Sequence, residues 1–172
     1  MVDELTALAL AAGRGDRIAL ASFVRRTQAD VWRFCASMNG RVAADDLTQD
    51  TFLRAIPALR RFEGRSNARV WLLTIARRTC ADAVRRSIRQ RRLLAKMGND
   101  NEGPSPHGLV EVEQLVLSLA EDRRQAFILT QVLGLSYAEA AEACECPVGT
   151  IRSRVARARE DLLRGISAAE SL

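Results

Sequence analysis

Histidine, tyrosine and lysine are almost missing from this chain of 172 residues, which has one of each: His107, Tyr137 and Lys96. A single imidazole leaves general acid–base catalysis with almost no candidate in its commonest form. There is no P-loop and no catalytic-triad motif, so no enzymatic activity is expected. No apolar run approaches the roughly 20 residues that span a bilayer. The N-terminus begins acidic, with no basic segment before its short apolar stretch, which argues against a secretory signal and for a cytoplasmic protein without membrane contact. Prolines number only four, and β-branched clusters are few. Apolar residues recur at helical spacing, so the expected fold class is all-α. The four cysteines are Cys35, Cys80, Cys144 and Cys146. Cys144 and Cys146 with His107 make three metal-type ligands, one short of a closed zinc site. Cytosolic cysteines mostly serve as small core hydrophobes, and neither metal nor cofactor is expected here.

What the chain does have is arginine. Its net charge is +5, but the distribution says more than the sum. Between Arg54 and Arg92 stand twelve arginines against two acids, Glu63 and Asp82. That segment carries +10, so the remainder is net acidic. A charged helix face can be merely solvated; clustering this dense favours a nucleic-acid partner.

One stretch, 97–108 (MGNDNEGPSPHG), is rich in Gly, Pro and Asn and has no periodicity, as a linker would. It divides the chain into a helical domain over 1–94, a flexible linker over 95–110 and a second small helical domain over 111–168. In the first, helices are predicted over 18–38, 44–59 and 68–92, with a polar connection at 63–67. In the second they are predicted over 112–119, 122–133, briefly after Ser136, and over 147–164.

The second domain can be read residue by residue. Gly134 is placed to end a helix in the left-handed conformation. Ser136 and Glu139 form a capping box that opens the next helix. Pro147 must sit at the first turn of the following one. A short helix, a tight turn over Cys144, Glu145 and Cys146, and a long helix make a helix-turn-helix. On the long helix, Ile151, Val155, Ala158 and Leu162 form one apolar stripe. Gly149, Ser153, Ala156 and Glu160 point the other way, flanked by Arg152 and Arg157, with Arg154 nearer the core. Small residues between arginines suit a helix pressed into a major groove.

These residues carry a resemblance. Residues 133–142 (LGLSYAEAAE) and 146–159 (CPVGTIRSRVARAR) are similar to region 4 of the extracytoplasmic-function (ECF) group of bacterial sigma factors. Residues 45–55 (DDLTQDTFLRA) resemble region 2.2, and 62–77 (FEGRSNARVWLLTIAR) resemble regions 2.3 and 2.4. The chain departs at the turn, where the family commonly has glycine and this sequence has Glu145, a strained choice for a left-handed position. Ala140 and Ala143 replace bulkier apolar residues.

The resemblance implies a factor that binds core RNA polymerase, recognises −10 and −35 promoter elements and helps melt DNA. Asp46, Gln49 and Asp50 share one helix face and call for a basic partner, which the resemblance names as the β′ clamp, with β nearby. Phe52, Ile56 and Leu59 are expected as an apolar row on another side. Arg65, Ser66 and Asn67 would hold an unstacked −10 base, with Trp71 at the junction or in the core. Arg77, Arg78, Arg85 and Arg86 would hold −10 phosphates. Thr150, Arg152, Ser153, Arg154 and Arg157 would read −35. Many ECF factors are held by an anti-sigma protein, a partner left open here. Two rivals remain: a dimeric stand-alone regulator reading palindromic half-sites, and an enzyme or redox protein using Cys144 and Cys146.

Overall fold

In the computed structural model, residues 2–98 and 111–170 are described, and every regular element among them is helical. The first half holds α1 (Glu4–Gly13), α2 (Arg17–Asn39), α3 (Arg41–Ala58), a 3₁₀ turn (Leu59–Arg61) and the long α4 (Ala68–Lys96). The second holds α5 (Glu111–Ser118), α6 (Glu121–Phe127) running into a π-helical turn (Ile128–Val132), α7 (Tyr137–Cys144) and α8 (Val148–Glu170). The all-α expectation holds. Most of the expected linker, including His107, lies outside the described residues, and α4 runs two residues past the expected boundary at 94.

Helix α1 was not anticipated. Its sequence, ELTALALAAG, is apolar on nearly all sides and shows no amphipathic stripe. Tertiary contacts make it a helix. Asp3 caps it, its Oδ1 accepting from the Thr6 amide at 3.0 Å and its Oδ2 from the Thr6 hydroxyl at 2.5 Å. That hydroxyl bond, ahead of the backbone bonds, holds the Asp3 carboxyl below its ordinary pKa. Thr6 Oγ1 in turn accepts from the Ala68 amide at 3.0 Å, which ties the start of α1 to the start of α4.

The first core gathers Phe23, Val31 and Phe34 of α2, Leu47 and Phe52 of α3, and Val70, Leu72 and Leu73 of α4. Of the expected apolar row on α3, Phe52 and Leu59 are buried but Ile56 is 39% exposed. Ala55, fully buried, takes its place in the core: the two residues are 100° apart, and the packed face is centred one position earlier. In the second half, Ile151, Val155 and Ala158 of α8 are buried against Ile128, Leu129, Leu133 and Leu135. Leu162, further along the stripe, is half-buried.

The local signals of the second half are in place. Gly134 has φ 72°. The capping box is complete, with the Glu139 amide donating to Ser136 Oγ at 3.1 Å and the Ser136 amide to Glu139 Oε2 at 2.8 Å. Glu145 is the C-cap of α7, at φ 54° and ψ 44°. It is the one non-glycine residue with positive φ among those described, a conformation that costs an L-residue on the order of 1–2 kcal/mol.

Gly13 sits where α1 crosses the 3₁₀ turn, and a Cβ there would lie 2.3 Å from the Leu59 carbonyl oxygen. Backbone cannot yield as a side chain can. Gly13→Ala is therefore expected to destabilise the first half by about 1–3 kcal/mol, as overpacking does, measurable as a lowered denaturation midpoint by circular dichroism.

Candidate nucleic-acid interface

Three surfaces carry the residues that the sequence singled out. The first is the outward face of α8. Gly149, Arg152, Ser153, Ala156 and Arg157 are all exposed, on the side opposite Ile151 and Val155. Among the described residues, the side chains of Arg152 and Arg157 have no ion-pair or hydrogen-bond partner, so their guanidinium donors are open to a ligand. Arg154 differs. It is half-buried, pairs with Asp122 at 3.2 Å and approaches Cys146 Sγ at 3.7 Å, and so braces α8 against α6. The Ser153 hydroxyl donates back to the Thr150 carbonyl at 3.0 Å. No atom lies within 4 Å of where a Gly149 Cβ would be; the fold itself does not require glycine there.

The second surface is the loop 63–67 with the start of α4. Arg65, Ser66 and Trp71 surround a shallow cavity of about 280 Å³, together with Arg61 and Phe62. Phe62 and Trp71 form a ring pair with centroids 4.9 Å apart and planes tilted by 43°. Trp71 thus belongs to both readings, half-buried in the packing and lining the cavity. Arg65 pairs with Glu63 at 2.5 Å, both exposed. Asn67 faces elsewhere. Its Oδ1 caps α4 by accepting from the Arg69 amide at 2.8 Å, and its Nδ2 donates to Asp3 Oδ2 at 3.2 Å. Both polar ends of the Asn67 side chain are therefore occupied. Arg61 and Phe62 escaped the sequence reading because they precede the loop and approach the cavity only through the 3₁₀ turn.

The third surface is α3. Asp46 and Gln49 are exposed and Asp50 is half-buried, on a face that also carries Leu53 at 63% and Ile56 at 39% exposure. Beside it, a groove of about 560 Å³ lies between α2 and α3, lined by Trp32, Arg33, Asp45 and Gln49 among others. Trp32 Nε1 donates to Asp45 Oδ1 at 2.7 Å and holds its wall.

The arginines of α4 divide in two. From residue 85 onward nearly every residue is exposed, and Arg85, Arg86, Arg89, Arg91 and Arg92 stand around a projecting helix. Arg77 and Arg78, by contrast, meet the second half of the chain. Arg77 Nε donates to the Ala143 carbonyl at 2.8 Å and its Nη2 to Glu145 Oε2 at 2.6 Å. Arg78 Nη2 donates to Glu145 Oε1. Arg69, paired with Asp30 at 2.7 Å, also donates to the Leu133 carbonyl at 2.7 Å.

Comparison with known proteins finds two family matches along the chain. Residues 23–92 match the Sigma-70 region 2 family, and residues 109–162 match the Sigma-70, region 4 family. The ECF RNA polymerase sigma factor SigC of Mycobacterium tuberculosis is 52% identical over 167 residues, covering 94% of this chain and 90% of that protein. The chain belongs to the ECF group of sigma-70 factors. The ECF RNA polymerase sigma-E factor of Escherichia coli is 33% identical over 164 residues, with 86% of each chain covered. Among solved structures, the sigma factor RpoE of Bartonella quintana, in complex with the anti-sigma factor NepR, superposes with a TM-score of 0.72 at 31% identity, over 86% of this chain and 96% of that one. CnrH, in complex with the cytosolic domain of CnrY, gives 0.76 at 27% identity, over 96% and 99%. As a sigma factor, the protein serves RNA polymerase in promoter recognition and transcription initiation.

The cysteines of this sigma factor lie in its packing. Cys35 and Cys80 are fully buried, their sulfurs 3.7 Å apart between α2 and α4. Cys144 is buried, and desolvation pushes its thiol up to about 11. Among the described residues no group of three or more His, Cys, Asp or Glu is placed to hold a metal, and no helix is long and apolar enough to cross a membrane. At pH 7.5 the folded protein is expected to expose one reactive thiol, Cys146, to an aromatic disulfide reagent, and all four after denaturation. Fast labelling of Cys144 would contradict its placement.

Proposed function

We propose that this sigma factor works as two promoter anchors on one polymerase, by binding and not by catalysis. Residues 1–94 dock on core polymerase and open the −10 element; residues 111–168 seat the helix-turn-helix at −35; residues 95–110 join them. Asp46, Gln49 and Asp50 face the β′ clamp, with the exposed Leu53 adding apolar contact, and β lies nearby. Thr150, Arg152, Ser153 and Arg157 address the −35 major groove. Arg154 supports them from behind, since its guanidinium is engaged with Asp122. Arg65, Ser66 and Trp71 receive an unstacked −10 base, and Arg77 and Arg78 its neighbouring phosphates. Melting draws on the capture of unstacked bases. Bartonella RpoE is seen with an anti-sigma protein, and we extend that class of partner to this chain, which acts in the cytoplasm.

The observation that carries this reading is the outward face of α8. It joins two unpaired arginines, a serine and two small residues on the side of the helix that the core leaves open. A dimeric regulator would present such a helix too, but would have no use for the acidic face on α3.

In vitro selection of promoters with reconstituted holoenzyme is the direct test, and absence of any enriched −35 element would overturn the reading. On the selected promoter, Arg157→Ala or Ser153→Ala is expected to weaken −35 binding by about 1–3 kcal/mol while co-elution with core polymerase is unchanged. Asp50→Arg is expected to do the reverse in gel filtration, losing holoenzyme while the free chain keeps its −35 affinity.

A further inference from the structure

Helix α1 touches the loop 63–67 and both of its flanks, running along the segment 59–68 in the opposite direction. At one end, Gly13 lies against the Leu59 carbonyl with no room for a Cβ. In the middle, Gly64 rests on Leu10 and Thr6. It holds φ +71°, and a Cβ there would come 3.3 Å from Leu10 Cδ1 and 3.6 Å from Thr6 Cγ2. At the other end, Asp3 Oδ2 accepts from Asn67 Nδ2 at 3.2 Å, and Thr6 Oγ1 accepts from the Ala68 amide at 3.0 Å. Between these fixed points the chain keeps one free face, where Arg61, Phe62, Arg65, Ser66 and Trp71 line the cavity of about 280 Å³.

The bonds at the Asp3 end form a chain. The Thr6 hydroxyl donates to Asp3 Oδ2 at 2.5 Å, which leaves its lone pairs for the Ala68 amide. Thr6 and Ala68 are both buried, and a buried N–H at the head of a helix needs such an acceptor. The Thr6 hydroxyl, ahead of the backbone bonds, holds the Asp3 carboxyl below its ordinary pKa, so at neutral pH it only accepts. Asn67 turns its other end to the Arg69 amide at 2.8 Å and so joins α1 to α4 across the end of the loop.

We propose that α1 is a splint for the base-reading loop, with Asp3 and Thr6 as positioning residues that set Arg65 and Ser66 in place before promoter DNA arrives. This rests on the reading of that loop as the site of an unstacked −10 base.

A loop that must be ordered as it takes a base subtracts that ordering from its affinity. A loop held in advance binds at lower entropic cost. It also presents its donors in one arrangement, so a missing base leaves them unpaired. The main neighbours of α1 are α2, the 3₁₀ turn and α4, all in the first half, which confines the effect to the −10 strand. Asp3 is also the N-cap of α1, and its two roles come apart in one substitution. Asparagine caps a helix as well as aspartate does, but it sets an NH₂ group where Asn67 already offers one. Asn67 cannot turn its amide round without giving up the Arg69 amide.

The test uses reconstituted holoenzyme and a fluorescent −10 non-template strand of the selected promoter, intact or abasic at each position in turn. The wild type should lose affinity sharply at one abasic position, which marks the captured base. Asp3→Asn should bind the intact strand about five- to tenfold more weakly and lose most of its intact-to-abasic ratio at that position. Asn67→Asp alone, which sets two carboxylates face to face, should do the same, as should Thr6→Val, which strands the Ala68 amide. Asp3→Asn combined with Asn67→Asp exchanges amide and carboxylate at unchanged net charge and should restore most of both quantities. The −35 duplex should bind all of these variants equally. A lowered thermal midpoint with the intact-to-abasic ratio unchanged would make Asp3 a structural cap and overturn the splint, as would failure of the double variant to recover. Hydrogen exchange of the full chain at the Ala68 and Arg69 amides separates the splint from the reading it rests on. Faster exchange in both single variants and slow exchange in the double, with no abasic position felt by the wild type, would support α1 as a splint and overturn the loop as a base site.

Discussion

Between Ala68 and Cys80, helix α4 buries Ala68, Val70, Leu72, Leu73, Ala76, Thr79 and Cys80 against α1, α2 and α3. The same helix, one side over, packs on α7 of the second half. One rod thus serves two cores. The small residues Ala68, Ala76 and Cys80 let the first-half helices approach closely, and the arginines at 69, 77 and 78 reach the other way to the second half. Every site in the protein is placed relative to this rod: the loop 63–67 leads into it, α3 lies along it, and the helix-turn-helix rests on it.

Charge is arranged in the opposite sense to burial. Where α4 is covered by other helices its arginines are matched, Arg69 by Asp30 and Arg77 by Glu145. Where it leaves the protein they outnumber any acid. Asp82 sits at the boundary between Arg54 and Arg85, at 2.8 and 2.7 Å, and those two arginines hold its carboxyl below the ordinary range, Arg54 most. Beyond it no acid remains on α4. The unbalanced positive charge that composition detects therefore concentrates at one end of one helix.

The helices with amphipathic stripes were legible, and so were the stops and starts of the second half, because Gly134, the Ser136–Glu139 box and Pro147 act within a few residues of themselves. Helix α1 was not legible: it has no polar face, and Asp3, Thr6 and Ala68 show their bonding only when brought together. For the same reason the engagement of Asn67 as a cap and of Arg154 with Asp122 could not be read from spacing. The outward face of α8 was legible from rotation alone. The contacts of Arg77 with Ala143 and Glu145 span more than sixty residues, and no local pattern announces them. The strain at Glu145 was visible in the sequence; its two partners were not.

The exposed stretch of α4, residues 85–96, has a thermodynamic consequence. It has almost no packed face, and Ile88, Leu93 and Leu94 stand partly in water, so it extends the helix nucleated by the packed part of α4 on local propensity alone. Its amides should exchange with solvent faster than those of the packed part of α4, increasingly so toward Lys96. A polyanion drawn to its arginines would add its binding free energy to that of the coil-to-helix transition. The affinity of this segment for its ligand and its degree of order are then two readings of a single equilibrium.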